Sequence, residues 1–168
     1  VDGKNLEERV SNEGPLKLDE FFKVFVPIAN AQLFLANEGY AHRDIKPNNI
    51  LISHDYKVVK LTDLQNAVRL DESGSYMGES YGSIKTMAPE LILEGKASPE
   101  SDVYSLGVCM YYALTGEMPY DYGQKDETLE SVQAQIKEMR ENYYRIDESK
   151  LVPPHPILTL DDRRILRL

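Results

Sequence analysis

The spacing of apolar residues predicts a mostly helical chain with one small region of strands. Residues 18–37 repeat apolar side chains at helical intervals, which predicts a helix with its core face on one side. That face comprises Phe21, Phe22, Phe25, Ile28, Ala29, Leu33 and Ala36. Asp19 is the predicted N-cap, and Gly39 closes the helix. Pro27 lies inside the helix and is expected to kink or split it, at a cost of about 3 kcal/mol.

Two more helices are predicted later in the chain. Ser98 and Pro99 form a typical helix start, and an almost wholly apolar run follows and ends at Gly116. Residues 99–116 are therefore predicted to form a buried helix. Residues 126–144 form a second late helix, with an apolar stripe of Leu129, Val132, Ile136, Met139 and Tyr143. Beyond three prolines, residues 160–168 begin a further helical pattern.

The remaining segments are short strands and loops. Residues 49–53 and 57–61 are β-like runs close enough in sequence to predict a hairpin. Residues 1–15 are polar and contain two glycines, and no element is assigned to them. Residues 64–87 are rich in Gly, Ser and charged residues, and a loop of this length is usually functional or disordered. The predicted fold class is mainly α with a small β-hairpin region.

Length and composition indicate one core. At 168 residues and 42% hydrophobic, the chain is expected to form one domain or part of one. No apolar run approaches the roughly 20 residues of a membrane span, and the N-terminus has no secretion signal. The single cysteine, Cys109, excludes an internal disulfide, and we expect an intracellular, cytoplasmic location. Its apolar surroundings predict a core residue rather than a reactive thiol.

The charge of the chain bears on its partners. A net charge of −9 argues against nucleic-acid binding, which needs a basic surface. Acidic side chains surround the start of the second late helix, namely Glu117, Asp121, Asp126, Glu127 and Glu130. This cluster has two interpretations, a preference for basic residues in a protein substrate or a solvated helix start, and the sequence leaves both open.

The densest chemistry lies in residues 40–53, YAHRDIKPNNILIS, and in the KLTDL stretch of residues 60–64. The polar residues concerned are His42, Arg43, Asp44, Lys46, Asn49 and Asp63. Carboxylates, a Lys and an Asn on short strands and the loop between them can hold a divalent cation and a polyphosphate. They can do so beside a hydroxyl nucleophile.

This stretch resembles the catalytic loop of protein kinases, whose pattern is H-R-D-L-x-x-x-N followed by D-F-G and A-P-E. Here residues 42–49 read HRDIKPNN, residues 63–65 read DLQ and residues 88–90 read APE. Residues 82–90, GSIKTMAPE, are similar to the family's G-T-x-x-Y-M-A-P-E, and residues 101–107, SDVYSLG, to its S-D-V-W-S-L-G. The resemblance implies the C-terminal lobe of a eukaryotic-type Ser/Thr protein kinase.

The resemblance also implies the roles of the central residues. Asp44 would accept or orient the proton of the attacking hydroxyl, and Lys46 would offset the charge of the transferred phosphoryl group. Lys46 also marks the Ser/Thr branch of the family. Asn49 and Asp63 would bind Mg²⁺ and, through it, ATP. His42 is interpreted as a structural residue packed under the loop rather than as a base.

Supporting residues follow from the same resemblance. Asp102 would accept backbone N–H groups of the loop, and Ser83 would bridge Asp44 and Lys46 with its hydroxyl. Glu90 would pair with a late arginine, for which the chain offers Arg163 and Arg164.

In the family, the arginine before the catalytic Asp is often neutralised by a phosphate, which here would involve Arg43 and the activation segment, residues 63–90. The candidate phosphorylation sites are Ser73, Ser75 and Ser80. A solvated, flexible loop is the alternative interpretation of this segment.

Residues 1–168 are therefore interpreted as one partial domain, with a hinge-like start in residues 1–15. No Gly-rich loop with its strand Lys and helix Glu is recognised. We expect an N-terminal lobe or a partner chain to cover the cleft. Gln65 and Thr86 replace the usual Gly and Tyr. Two functions stay open, an ATP- and Mg²⁺-dependent kinase acting on a protein substrate and a non-catalytic, pseudokinase-like binding subunit.

Overall fold

The computed structural model describes residues 2–79, 81–119 and 128–143. Five α-helices lie in this part of the chain: α1 (Leu6–Glu13), α2 (Leu18–Asn37), α3 (Pro89–Glu94), α4 (Pro99–Thr115) and α5 (Leu129–Tyr143). The strands are β1 (Gly3–Asn5), β2 (Tyr40–Ala41), β3 (Ile50–Ser53), β4 (Val59–Leu61), β5 (Val68–Arg69), β6 (Tyr76–Met77) and β7 (Lys96–Ala97). Helices predominate, as the sequence pattern predicts, but the described residues form three small sheets where one hairpin is predicted.

The largest sheet of the described part has the order β1-β3-β4 and is antiparallel throughout. Its β3–β4 pair is the predicted hairpin, with Ile50 opposite Leu61. Ile50 and Ile52 alternate with half-buried neighbours and point into the core. The hairpin therefore places the residues before β3 and after β4, which include Asn49 and Asp63, at the same end of the sheet.

The N-terminal segment forms two elements that are not predicted from its sequence. β1 pairs with β3, and α1 follows at once with a capping box. The Asn5 side chain accepts the backbone N–H of Glu8 at 2.8 Å, and the Glu8 carboxylate accepts the N–H of Asn5 at 3.1 Å. Residues 1–15, interpreted above as a hinge-like start, thus include a strand and a short helix.

Helix α2 runs without interruption through Pro27, so the expectation that Pro27 splits the helix is wrong. Proline removes one N–H donor, which would have bonded the carbonyl of Lys23. Both Pro27 and Lys23 are exposed, so water can satisfy that carbonyl and the helix continues. The expected N-cap is also wrong, because Lys17 holds that position and the Glu20 carboxylate accepts its N–H at 2.9 Å.

The buried face of α2 differs in part from the predicted one. Its buried residues are Val24, Phe25, Ile28 and Gln32, which face α4 and β4. Phe22 and Leu33, predicted to be core, are 50% and 55% exposed. A helix buries only the stripe that a neighbour covers, and the apolar residues of α2 extend round more of its surface than α4 and β4 cover.

Helix α4 lies as predicted, from Pro99 to Thr115 between the caps Ser98 and Gly116. It passes through the main hydrophobic core, which α1, α2 and β3 complete. Cys109 is fully buried there, and burial raises the pKa of its thiol well above the ordinary value. The interpretation of Cys109 as a core residue is confirmed.

A second core cluster joins α3 to α5. Val132 and Ile136 of α5 are buried against Leu91 and Ile92 of α3. Within the predicted span of residues 126–144, the helix occupies Leu129–Tyr143, and residues 126, 127 and 144 lie outside the described residues. The helical pattern of residues 160–168 lies outside them as well. None of the described helices is both long and apolar enough to cross a membrane.

Candidate active site

Helix α4 stabilises the loop of residues 42–49, which we call the HRD loop, through hydrogen bonds to its backbone. Asp102, in the first turn of α4, accepts the backbone N–H of His42 at 2.6 Å and that of Arg43 at 2.9 Å. Asp102 is almost fully buried, and Arg43 has a positive φ of 65°. A bulky residue rarely adopts such a φ, so these two hydrogen bonds stabilise a sparsely populated backbone conformation.

Burial raises the pKa of the Asp102 carboxyl above its ordinary value, although the two backbone N–H groups partly offset the effect. An acid whose pKa is raised on folding stabilises the fold most below its unfolded pKa. That contribution is lost as pH rises through the folded pKa. Wild type is therefore expected to lose part of its stability advantage over Asp102→Asn as pH rises from the unfolded to the folded pKa of Asp102. Denaturant titrations at a series of pH values measure it, and a gap that widens with pH contradicts the assignment.

His42 is fully buried, and both of its ring nitrogens have partners. Nδ1 accepts the backbone N–H of Asp44 at 3.3 Å, and Nε2 lies 3.1 Å from the carbonyl oxygen of Thr62. This pair of contacts fits the tautomer protonated at Nε2, which can donate to the Thr62 carbonyl. His42 therefore connects the HRD loop to the end of β4 and has no free ring nitrogen with which to act as a base.

The Asp44 carboxylate accepts three hydrogen bonds, and the residue is 4% exposed. Its Oδ2 accepts Lys46 Nζ at 2.7 Å and Asn49 Nδ2 at 3.2 Å, and its Oδ1 accepts the backbone N–H of Ser83 at 3.1 Å. Asn49 also donates to the backbone carbonyl of Asp44 at 2.8 Å. Ser83 was expected to use its hydroxyl, but the contact runs through its backbone N–H instead.

Asp63 lies just beyond the end of β4. It is exposed, has a positive φ of 67°, and makes no hydrogen bond or ion pair with the part of the chain described here. Thr62, just before it, donates its backbone N–H and its hydroxyl to the carbonyl of Asn49, at 2.9 and 3.1 Å. Asp63 therefore directly follows a residue that touches Asn49.

Gln65 occupies a position where the kinase pattern has glycine. It lies in a 3-10 turn, Leu64–Asn66, and its φ is not positive. The left-handed conformation falls on Asp63 instead, a residue type that tolerates it better than most. In this conformation, the backbone at Gln65 does not require glycine.

The Arg43 side chain packs into the activation segment, and these contacts are not predicted from the sequence. Its Nε donates to the carbonyl of Asn66 at 2.8 Å, and its Nη1 to the carbonyl of Glu79 at 3.4 Å. Its guanidinium carbon lies 5.2 Å from the ring centre of Tyr76 and 5.3 Å from that of Tyr81. Arg43 and these tyrosines are over thirty residues apart in sequence, and no local pattern signals their contact.

The other predicted residues have partners of their own. Asp71 Oδ1 accepts the hydroxyl of Ser73 at 2.6 Å, which lowers the pKa of Asp71, and the Ser73 and Ser75 hydroxyls lie 2.8 Å apart. Ser80 lies outside the described residues. Glu90 accepts the hydroxyl of Ser101 at 2.7 Å, while Arg163 and Arg164, its expected partners, also lie outside the described residues.

At Gly82 the activation segment passes close to the backbone of the HRD loop. Its φ is +124°, and a Cβ there would lie 2.5 Å from the carbonyl oxygen of Arg43. We expect Gly82→Ala to push the segment off the loop and to speed amide exchange at Ser83 by about tenfold or more. Hydrogen exchange followed by mass spectrometry measures this.

The control for Gly82→Ala is Gly74→Ala. Gly74 also has a left-handed φ, +74°, but no atom lies within 4 Å of its added Cβ. Both alanines carry the backbone cost of about 1–2 kcal/mol, and only the one at residue 82 adds a clash. Equal exchange at Ser83 in the two variants would contradict the assigned contact.

Most of the chain is similar in sequence to known proteins. A sequence model described as the protein kinase domain matches residues 1–158. Serine/threonine-protein kinase PrkC of Bacillus subtilis is 34% identical over 122 residues, which are 72% of this chain and 19% of that protein. Sperm motility kinase 2B of Mus musculus is 34% identical over 121 residues, 71% of this chain and 25% of that protein.

A third relative, serine/threonine-protein kinase PknL of Mycobacterium tuberculosis, is 37% identical over 122 residues. These make up 71% of this chain and 30% of that protein. The chain thus spans only 19 to 30% of the length of these relatives.

Proposed function

The chain belongs to the protein kinase family, and on that premise we propose that it supplies the catalytic-loop half of an ATP- and Mg²⁺-dependent Ser/Thr protein kinase. The reaction would transfer the terminal phosphoryl group of ATP to a Ser or Thr hydroxyl of a protein substrate. The observation that carries the proposal is the Asp44 carboxylate, buried and fixed by Lys46, Asn49 and Ser83.

Asp44 would position the attacking hydroxyl and take its proton. A carboxylate offers about four acceptor sites, and three donors already occupy part of that capacity. These three donors fix the orientation of the carboxylate, and its unused lone pairs can accept the proton of the substrate hydroxyl. Such fixed geometry is the main contribution that a protein can make to this reaction, because positioning and electrostatics supply most of the catalysis.

Lys46 would stabilise charge on the transferred phosphoryl group. Its ammonium has three donors, and one of them is used by Asp44 Oδ2. Its side chain is 28% exposed, whereas that of Asp44 is 3% exposed, so the ammonium reaches outward from the buried acid. An ammonium at this point would oppose the negative charge on the phosphoryl oxygens in the transition state.

Asn49 and Asp63 are the residues that would hold Mg²⁺. The Asn49 amide turns Nδ2 to Asp44, so Oδ1 faces away from that acid, and the Asp63 carboxylate has no protein partner in the described ranges. Carboxylate and amide oxygens are the ligands that Mg²⁺ accepts, usually with waters and phosphate oxygens completing the shell. The donor set therefore fits. The chemistry that a Mg²⁺ ion held by Asn49 and Asp63 would supply is neutralisation of charge on the nucleotide's phosphates.

The proposed kinase function also needs groups that cover the nucleotide phosphates from the other side of the cleft. Phosphoryl transfer in this family requires a Lys–Glu pair in addition to the Asp–Mg²⁺ contact, together with a loop over the phosphates. We propose that an N-terminal lobe or a partner chain supplies these groups and covers the cleft. Leu64 follows Asp63 and is 55% exposed, as expected of a side chain that such a surface would bury.

The test of the proposed function is Mg²⁺-dependent ATP binding by the full-length protein. Wild type is expected to bind ATP only when Mg²⁺ is present. Asp63→Asn is expected to need at least about tenfold more Mg²⁺, because it loses the charged ligand of the ion. Isothermal titration of ATP at graded Mg²⁺ concentrations measures the shift. Asp19→Asn, the same change at an exposed helix start, is the control and should leave the curve unmoved.

The alternative function is a kinase-derived binding or structural subunit without phosphoryl transfer. Gln65, in place of the usual glycine, is the feature that favours it. Wild type that binds no ATP at any Mg²⁺ concentration would support this alternative and contradict the proposal. ATP binding without measurable phosphoryl transfer to any protein would also favour a regulatory subunit.

A further inference from the structure

We propose that Tyr76 and Tyr81 are positioning residues that hold the Arg43 side chain and thereby keep the activation segment on the HRD loop without a phosphate group. The role in catalysis rests on the proposed kinase function. The role in ordering the segment rests on the structure alone. We call Arg43, Tyr76 and Tyr81 the arginine clamp.

The first support for the clamp is that the Arg43 side chain already contacts two carbonyl oxygens and two aromatic rings of the activation segment. Arg43 is 8% exposed, and two backbone carbonyls accept from its Nε and Nη1. Both tyrosine ring centres lie within 5.3 Å of its guanidinium carbon. A guanidinium this close to aromatic rings is attracted to their electron-rich faces, more strongly when water is excluded. The charge is therefore compensated by π-systems and carbonyl dipoles.

The second support is the line of contacts made by three successive residues. The Tyr81 ring lies against the Arg43 guanidinium, Gly82 abuts the Arg43 carbonyl, and the Ser83 N–H donates to Asp44 Oδ1. Residues 81–83 thus run along residues 43 and 44. A shift of Tyr81 would move the Ser83 N–H relative to Asp44, and so would loosen one of the donors that fix this carboxylate.

The third support is that Tyr76 is itself anchored through its backbone. Tyr76 lies in β6, which pairs with β7 opposite Ala97. The Tyr81 hydroxyl donates to Glu79 Oε2 at 2.5 Å, and this contact raises the pKa of Tyr81. This contact is exposed, so we expect the β6–β7 pairing and the ring contacts with Arg43 to hold the clamp rather than the hydroxyl.

The clamp gives a different expectation from phosphorylation at Ser73 or Ser75. Those hydroxyls are bonded to Asp71 and to each other, while Arg43 contacts the rings of Tyr76 and Tyr81 in the same segment. We therefore infer that removing phosphate from the serines of this segment leaves its order, and the position of Asp44, unchanged.

The experiment compares ring removal with hydroxyl removal in the full-length protein. Tyr76→Leu/Tyr81→Leu removes both π-systems, while Tyr76→Phe/Tyr81→Phe keeps the rings and removes only the hydroxyls. Hydrogen exchange over residues 70–87 is expected to speed up about tenfold in the leucine variant and to change by less than about twofold in the phenylalanine variant. Met77→Leu, an exposed change on the same strand, is the control.

Steady-state kinetics form the second arm. The leucine variant is expected to lower kcat by about tenfold with the KM for ATP within about twofold, because the change acts on Asp44 and leaves the nucleotide ligands in place. The phenylalanine variant should restore kcat. If the double leucine variant does not fold, the two single leucine variants are compared, each with an expected effect of about threefold.

Three results would overturn the clamp. One is exchange over residues 70–87 that is unchanged in the leucine variant. Another is exchange in the phenylalanine variant as fast as in the leucine variant, which would show that the tyrosine hydroxyls, and not the rings, order the segment. The third is fast exchange after phosphatase treatment or in Ser73→Ala/Ser75→Ala/Ser80→Ala. Exchange needs no turnover, so an inactive wild type would defeat the proposed function without deciding the clamp.

Discussion

Replacing Asp44 with asparagine is expected to lower the rate of phosphoryl transfer by about 10²–10⁴-fold, the range that a positioned general base contributes. The amide is close in size to the carboxylate but cannot take up the proton of a hydroxyl. Its NH₂ group would also face donors that now point at Asp44, namely Lys46 Nζ and the Ser83 N–H. Transfer of radiolabelled phosphate from ATP to a protein substrate, with kcat determined at saturating ATP, measures the loss.

The matched control is Asp55→Asn on the β3–β4 turn. Asp55 also accepts a lysine, Lys57 Nζ at 3.1 Å, and a backbone N–H, but it lies at the opposite end of the hairpin from the HRD loop. It should keep kcat within about twofold, since surface changes away from special features have small effects. An Asp44→Asn variant that turns over at the control's rate would remove Asp44 from the catalytic role.

Asp102→Ala is expected to lower the free energy of unfolding by about 3–6 kcal/mol, because hydrogen bonds to a charged group contribute about 1.5–3 kcal/mol each and two are lost. The N–H groups of His42 and Arg43 would be left buried without an acceptor. The strained φ of Arg43 would lose its support as well. Urea denaturation followed by circular dichroism gives the difference.

Glu100→Gln serves as the control for Asp102→Ala, since Glu100 lies in the same first turn of α4 but is exposed. Its effect should stay within about 0.5 kcal/mol. Asp102→Asn keeps one acceptor oxygen and should fall between the two. Equal changes in the free energy of unfolding for Asp102→Ala and Glu100→Gln would show that the HRD loop does not depend on Asp102.

Local signals in the sequence were enough for elements whose stabilising residues are neighbours. The bounds of α4 follow from Ser98, Pro99 and Gly116, because caps act within one turn of a helix. The β3–β4 hairpin follows from two short apolar runs separated by a short polar turn. The HRD loop was recognised from its motif, and the structure brings Asp44, Lys46 and Asn49 into contact.

Elements that depend on distant partners could not be predicted in the same way. β1 has three residues and exists because it pairs with β3, some fifty positions later. The exposure of Phe22 and Leu33 depends on where α4 and β4 lie, which the periodicity of α2 alone does not contain. The N-x-x-E spacing of Asn5 and Glu8 is a local sequence signal for the capping box that starts α1.

The side-chain contacts of the site divide along the same line. The Ser83 hydroxyl was expected at Asp44, yet the backbone N–H takes that place, because the path of the chain through Gly82 decides which atom of Ser83 faces the acid. The contact of Arg43 with Tyr76 and Tyr81 likewise depends on how residues 70–87 fold back onto the loop. Such a path is set by tertiary packing, and single-residue patterns do not encode it.

The hydrogen bonds between Asp102 and the HRD loop also bear on how the protein is made. His42 precedes Asp102 by 60 residues, so a ribosome releases the loop well before the acid that holds it. At about 5–20 residues per second, the nascent loop would wait several seconds without its support. Chaperones and proteases would meet a half-made chain whose HRD loop is still unformed. The kinase fold could acquire its working geometry only after α4 had left the exit tunnel.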